Sequence, residues 1–121
     1  MSNPGNHHKI NYIEFASNDL ERTKRFYEKV FGWSFQDWGP DYVSFSGALA
    51  GIDGGFRKCS RQEELAHFDP LIVLYSENLK ATQDAIEAAG GTIVVPAFEF
   101  PGGRRFHFAD GSGNILAVWS K

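Results

Sequence analysis

One pattern occurs twice in this chain, at a fixed offset of 59 residues. Asp19-Leu20-Glu21-Arg22-Thr23 through Val30-Phe31-Gly32 is matched without a gap by Asn78-Leu79-Lys80-Ala81-Thr82 through Ala89-Gly90-Gly91. Leu20 falls on Leu79, Thr23 on Thr82, Tyr27 on Ile86, Glu28 on Glu87 and Gly32 on Gly91. A repeat of this length is a duplicated supersecondary unit, so positions in one half can be read against those in the other.

Each copy carries the same order of elements. Ile10 to Phe15 is β-prone, and Asn18 with Glu21 has capping-box spacing. Leu20, Thr23, Phe26, Tyr27, Val30 and Phe31 recur at helical spacing, which predicts one face packed on a sheet and a helix closed by Gly32. Strands are expected at Trp33 to Trp38, Tyr42 to Ser46 and Leu49 to Phe56, separated by turns at Gly39-Pro40-Asp41 and Gly47-Ala48. Arg57 to Asp69 lacks an apolar face and reads as a linker. The second copy runs Leu71 to Tyr75, a helix from Leu79 to Ala89 capped by Asn78, then strands at Thr92 to Phe98, Arg104 to Ala109 and Ile115 to Trp119.

The expected architecture is α+β: one domain over residues 1–121, with module 1 at about 9–56, a linker at 57–69 and module 2 at about 70–120. Two βαβββ modules, each with one helix to cover one sheet face, are expected to form a curved mixed sheet around a cleft. At 121 residues the chain is long enough for a real core without staples. Its single cysteine, Cys59, cannot form an internal disulfide, and no leader or membrane span is evident, which fits a cytoplasmic setting. Met1 to Lys9 reads as a loose lead-in that includes His7 and His8.

A net charge of −3, with both signs interspersed, argues against nucleic acid and anionic membrane as partners. Aromatic residues make up 15%, with eleven Phe and three Trp, which suits an apolar cavity as well as a core and points to a small organic ligand. P-loop, dinucleotide fingerprint and Ser-His-Asp order are all absent.

Three segments resemble the vicinal oxygen chelate superfamily, which holds glyoxalase I, bleomycin-resistance proteins and extradiol dioxygenases. Asn18 to Trp33 is similar to the family's D-L-x-R-x-x-x-F-Y-x-x-x-F-G-W run. Gly51-Ile52-Asp53-Gly54-Gly55-Phe56 is a second segment, and Phe106 to Asn114 resembles its D-P-x-G-N hairpin with Gly111 in place of Pro. The resemblance implies the glyoxalase/bleomycin-resistance/dioxygenase fold and a homodimer. In metal-dependent members it implies ligands on the first and last strand of each unit, with coordination positions left open for substrate. The positions that align with those ligands are Tyr12, Leu71 and Ala117, with a fourth among Ala50, Gly51 and Ile52 near Asp53. Leu71 and Ala117 cannot bind a metal, so no cofactor is expected. A divalent metal would need a rebuilt centre, for instance from His107, Glu14 and His67.

Glu14 shares a strand face with Tyr12 and is a candidate general base or holder of a cationic group; the alternative is an ion pair with Arg104 or Arg105. His107 is the second catalytic candidate, as a proton shuttle, against a purely structural histidine. Arg104 and Arg105 could clamp an anion or simply line a solvated strand. Tyr12, Trp38, Tyr42, Phe56 and Trp119 are candidates to line the ligand site, with core packing as the competing role. Trp33 and Phe35 are read as core.

The reading is a glyoxalase-related small-molecule-binding protein without the usual metal centre. Its alternatives are a lyase, isomerase or dioxygenase working through Glu14 and His107 or a rearranged metal site, and a sensory module. Fold analogy does not choose among them.

Overall fold

The computed structural model describes residues 5–59, 70–112 and 114–121. The chain divides into two compact units, one spanning Tyr12–Leu71 and the other joining its first residues, through Asn11, to Ile72–Lys121.

The first unit follows β1 (Ile10–Ser17), α1 (Leu20–Phe31), β2 (Phe35–Asp37), β3 (Tyr42–Phe45), α2 (Gly47–Ala50) and β4 (Gly54–Lys58). Its strands lie in the order β2-β3-β4-β1, with β1 parallel to β4 and the other pairs antiparallel. The second unit follows β5 (Leu71–Tyr75), α3 (Leu79–Ala88), β6 (Thr92–Phe100), β7 (Gly103–Ala109) and β8 (Ile115–Ser120). Its order is β5-β8-β7-β6, with β5 parallel to β8. The chain is therefore α+β, with two βαβββ modules built on mixed sheets, as the repeat predicts.

The duplication extends to side-chain hydrogen bonds at the first strand–helix junction. Ser17 Oγ meets Thr23 Oγ1 at 2.8 Å and accepts from Asp19 N at 3.0 Å; Ser76 Oγ meets Thr82 Oγ1 at 2.7 Å and accepts from Asn78 N at 3.0 Å. A serine that ends the strand thus fixes the turn into the helix. Asp19 and Asn78 are the N-caps, accepting from Arg22 N and Ala81 N. The cap in the first unit is Asp19 and not Asn18, because Ser17 turns the chain one residue later. Gly32 ends α1 with φ 75°, a conformation open to glycine.

Four expectations are corrected. Residues 47–50 form α2 and not a turn leading into a strand: Ser46 Oγ accepts from Ala48 N, and Asp53 Oδ1 accepts from Gly47 N at 2.6 Å, so two side chains cap its first amides. β4 continues through Lys58, and Cys59 N still donates to Ser17 O at 2.8 Å, so the linker begins later than Arg57. The covered face of α1 is narrower than its periodicity suggests: Leu20 is buried, but Phe26, Val30 and Phe31 are 54, 54 and 60% exposed. His7 and His8 are docked and not loose, with His8 N donating to Tyr75 O at 2.6 Å.

In the first unit Leu20, Val43, Phe45 and Phe56 form the core, with Ile13, Phe15, Tyr27, Trp33 and Phe35 packed against it. Trp33 and Phe35 are core residues, as their alternation indicates. Leu79, Phe106 and Val118 do the same in the second unit, joined by Ile86, Ile93 and Phe108. These residues occupy one strand parity in each sheet. The opposite parity carries Tyr12, Glu14 and Tyr42 in the first unit and Arg105, His107 and Trp119 in the second.

Candidate functional site

In the first unit, strand alternation turns Ile13 and Phe15 toward α1 and leaves Tyr12 and Glu14 on the other face. The register then decides what joins them: Glu14 pairs with Gly55, and Tyr42 pairs with Arg57. Tyr42 Oη donates to Glu14 Oε1 at 3.0 Å, and Arg57 Nε lies 3.5 Å from Glu14 Oε2. Tyr12 Oη stands 2.6 Å from Tyr42 Oη. A phenol has one proton, and Tyr42 spends its own on Glu14, so Tyr12 donates to Tyr42. The result is a directed chain, Tyr12 to Tyr42 to Glu14, with a guanidinium on the second carboxylate oxygen.

Glu14 is only 2% exposed, so its charge depends on these partners. Burial, then the Glu14 charge and Tyr12, push the Tyr42 hydroxyl far above the usual tyrosine range. Tyr42 is thus held as a neutral donor. Glu14 is paired with Arg57, a residue that the sequence reading places in the linker. Its two-residue step from Gly55 along a strand was the available signal.

Trp38 is 55% exposed, and its indole Nε1 donates to Ser44 Oγ at 2.8 Å, so it borders this face without being buried in it. Phe56 does not join the site. It is 4% exposed and packs in the core on Phe15, Tyr27 and Phe45, because its parity is that of the α1 side.

In the second unit, Arg105 pairs with Trp119 and His107 with Ala117, which puts Arg105 and His107 on the face away from α3. Phe106, between them, is fully buried on the α3 side, and Arg104 shares its parity at an exposed strand end. The Arg105 guanidinium lies 5.4 Å from the Phe98 ring centre and 5.8 Å from that of Phe100, a cation–π arrangement that holds the charge against apolar surface. The His107 ring is 6.0 Å from Phe98. Trp119 packs against Tyr75 at 4.9 Å, and its Nε1 donates to Asn11 Oδ1 at 3.1 Å. Sequence reasoning missed Phe98, Phe100 and Asn11. The β6 strand runs two residues further than expected, and that extension brings Phe100 into register with Gly103.

The donor set at the positions of the family's metal ligands can be tested directly. Glu14 and Val73 are equivalent at the 59-residue offset; Glu14 pairs with Gly55, and Val73 pairs with Ala117. Gly55 is therefore the counterpart of Ala117, which replaces the assignment to Ala50, Gly51 or Ile52. Asp53, the carboxylate near that stretch, accepts from Gly47 N. Leu71 and Ala117 are 2 and 0% exposed hydrocarbon, and Gly55 has no side chain. The Tyr12 hydroxyl is committed to Tyr42. These residues do not fit a divalent metal. Among the described residues, no three His, Cys, Asp or Glu side chains are grouped to hold one. His67, the third member of the alternative centre, lies outside the described residues.

A doubled βαβββ arrangement with strand-borne site residues defines the class, and the match to a family makes it specific. The chain belongs to the Glyoxalase/Bleomycin resistance protein/Dioxygenase superfamily, whose model matches residues 9–118. It is 28% identical over 129 residues to a glyoxylase-like domain-containing protein of Didymella fabae, covering 95% of each. Among solved structures it is similar in fold to methylmalonyl-CoA epimerase from Mycobacterium tuberculosis, at TM-score 0.73 and 12% identity over 99% of this chain and 92% of that one. It is also similar to the Mn(II)-bound glyoxalase from Novosphingobium aromaticivorans, at TM-score 0.66 and 21% identity, over 95% of this chain and 39% of that one. No helix among the described residues is long and apolar enough to cross a membrane.

Proposed function

We propose that this chain is a glyoxalase-related protein that binds a small organic molecule and works without the superfamily's usual metal centre. One observation carries the reading: three of the four family ligand positions hold Leu71, Ala117 and Gly55, while Tyr12 is tied into the Tyr42–Glu14–Arg57 cluster. In this reading Arg57 and the phenols meet a polar group of the ligand, and Glu14 holds both in place. The aromatic surface around Trp38 in the same unit supplies apolar contact. A homodimer is part of the reading, and so is a cytoplasmic setting, which suits the buried free thiol of Cys59.

Two measurements test it together. Metal analysis of protein prepared without added metal is expected to find well under about one ion per chain, since stoichiometric metal survives purification only when a full ligand set holds it. A thermal-shift screen of aldehyde–thiol adducts, catechols and related aromatics is expected to find stabilising ligands that are not turned over. One tightly held ion per chain would defeat the reading.

The second reading is metal-free acid–base catalysis on Glu14, with His107 as a further candidate. The directed Tyr12–Tyr42–Glu14 chain favours it, as a route for a proton. The fold is shared with an epimerase and a glyoxalase. Turnover that disappears in Glu14→Gln, with ligand binding and melting temperature retained, would establish this reading over the first.

A further inference from the structure

The two halves of the repeat fill the space beneath their helices differently. In the first unit Phe15, Phe56 and Tyr27 meet there, with centroids 5.2 Å apart for Phe15–Phe56 and 5.3 Å for Tyr27–Phe56. The 59-residue offset makes Leu74 the counterpart of Phe15 and Ile86 that of Tyr27. Phe56 pairs with Phe15 and Val118 with Leu74, so Val118 is the counterpart of Phe56. Three aromatic side chains thus correspond to three aliphatic ones. Two more positions are smaller in the second unit: Ala85 stands for Phe26, and Ala89 for Val30.

Smaller side chains at these five positions leave less bulk on the α3 side of the second unit. Leu74, Ala85, Ile86, Ala89, Phe108 and Val118 line an apolar cavity of about 280 Å³ on the α3 side of the second unit, open to solvent at Ala85 and Ala89. Its wall is hydrocarbon except where His8 and Thr82 complete it, with His8 Nε2 2.9 Å from Thr82 Oγ1. His8 is non-glycine at φ 61°, a conformation that side chains enter at a cost. Hydrogen bonds and ring stacking keep it there although it is exposed. Its amide donates to Tyr75 O, its ring stacks on His7 at 3.8 Å, and His7 Nδ1 accepts from Glu77 N at 3.0 Å.

We infer that this cavity is a binding site for a small aromatic molecule bearing one hydrogen-bonding group. The ring takes the place that aromatic side chains fill in the first unit, and the polar group meets His8 and Thr82. At about 280 Å³, the open cavity has room for a bicycle such as indole laid against its apolar wall. Arg105 and His107 lie on the opposite face of the same sheet, so this site is distinct from the surface described above.

The test is a titration of indole into the full chain carrying labelled alanine methyl groups. Saturable shifts at Ala85 and Ala89 are expected. Ile86→Tyr and Ala89→Val each restore the side chain that the first unit carries, and each is expected to weaken indole binding about tenfold or more. Ala89 is exposed and Ile86 half-buried, so both variants add side chain at the open side of the cavity and their melting temperatures should change little. If Ile86→Tyr does not fold, Ala89→Val carries the comparison. Shifts that do not saturate, that centre elsewhere or that persist unchanged in the filled variants overturn the inference. A cavity that closes up in solution leaves Ala85 and Ala89 unshifted and overturns it equally.

Discussion

Gly55 and Tyr42 compete for one place: a Cβ on Gly55 would lie 2.6 Å from Tyr42 Cζ and 2.7 Å from Cε2. The phenol lies flat across β4 only because that strand position has no side chain, and from there it reaches Glu14. Gly55→Ala is expected to push Tyr42 aside and break its bond to a buried carboxylate, at about 1–3 kcal/mol from overpacking and the lost donor together. Urea denaturation measures it. An unchanged midpoint would mean that Tyr42 has room this structure does not give it.

The same hydroxyl controls behaviour at high pH. Its folded-state titration lies far above the unfolded value of 10.0, mainly through burial, with the Glu14 charge and Tyr12 adding to it. The folded chain keeps a proton that the unfolded chain releases, so this contribution is fully present below about pH 10 and is lost as pH rises further. Denaturation midpoints should stay level up to about pH 9 and then fall, with Tyr42→Phe falling less steeply across the same range. Identical slopes for the two proteins would remove Tyr42 from the account.

Arg57 supplies a counter-charge to the buried Glu14 carboxylate. Breaking a buried pair costs about 3–5 kcal/mol, and Arg57→Ala should fall at or below the low end because its side chain is 28% exposed. Adding Glu14→Gln removes the buried charge and should recover part of the loss. A double variant no more stable than Arg57→Ala would count against the pairing.

The strand–helix junctions offer a test of equivalence between the halves. Ser17→Ala and Ser76→Ala each delete a hydroxyl bonded to a threonine and to the N-cap amide, so both should cost about 1–2 kcal/mol, by similar amounts. Thermal unfolding of the two variants side by side would show whether one junction matters far more than the other.

The fold was legible because strong periodic signals repeat. Leu71 to Tyr75 and the helix beginning at Leu79 lie where hydrophobic spacing puts them, and Asn78 caps as its side chain suggests. Residues 47–53 were not legible: glycine-rich sequence reads as turn or strand, and α2 is set by Ser46 and Asp53 bonding to specific amides. Of the site, the face shared by Tyr12 and Glu14 followed from alternation. Its closure by Tyr42 and Arg57 depended on the pairing of three strands, which no single segment encodes. Phe56 was misread for the same reason, since its parity is fixed by its pairing with Val43 and Phe15. His8 was missed because a polar leading segment has no local pattern; only the Tyr75 and Thr82 partners give it a place.

The unequal cores also make the molecule easy to watch. Of the three tryptophans, Trp33 sits among the rings of the first unit, 5.0 Å from Tyr27 and 4.8 Å from Phe45, and Trp119 sits against Tyr75 in the second. Trp38 is the exposed one. Replacing it with phenylalanine leaves one half-buried indole in each copy of the repeat. Each half then carries its own fluorescent reporter, and the cooperativity of a duplicated chain becomes something that emission alone can follow.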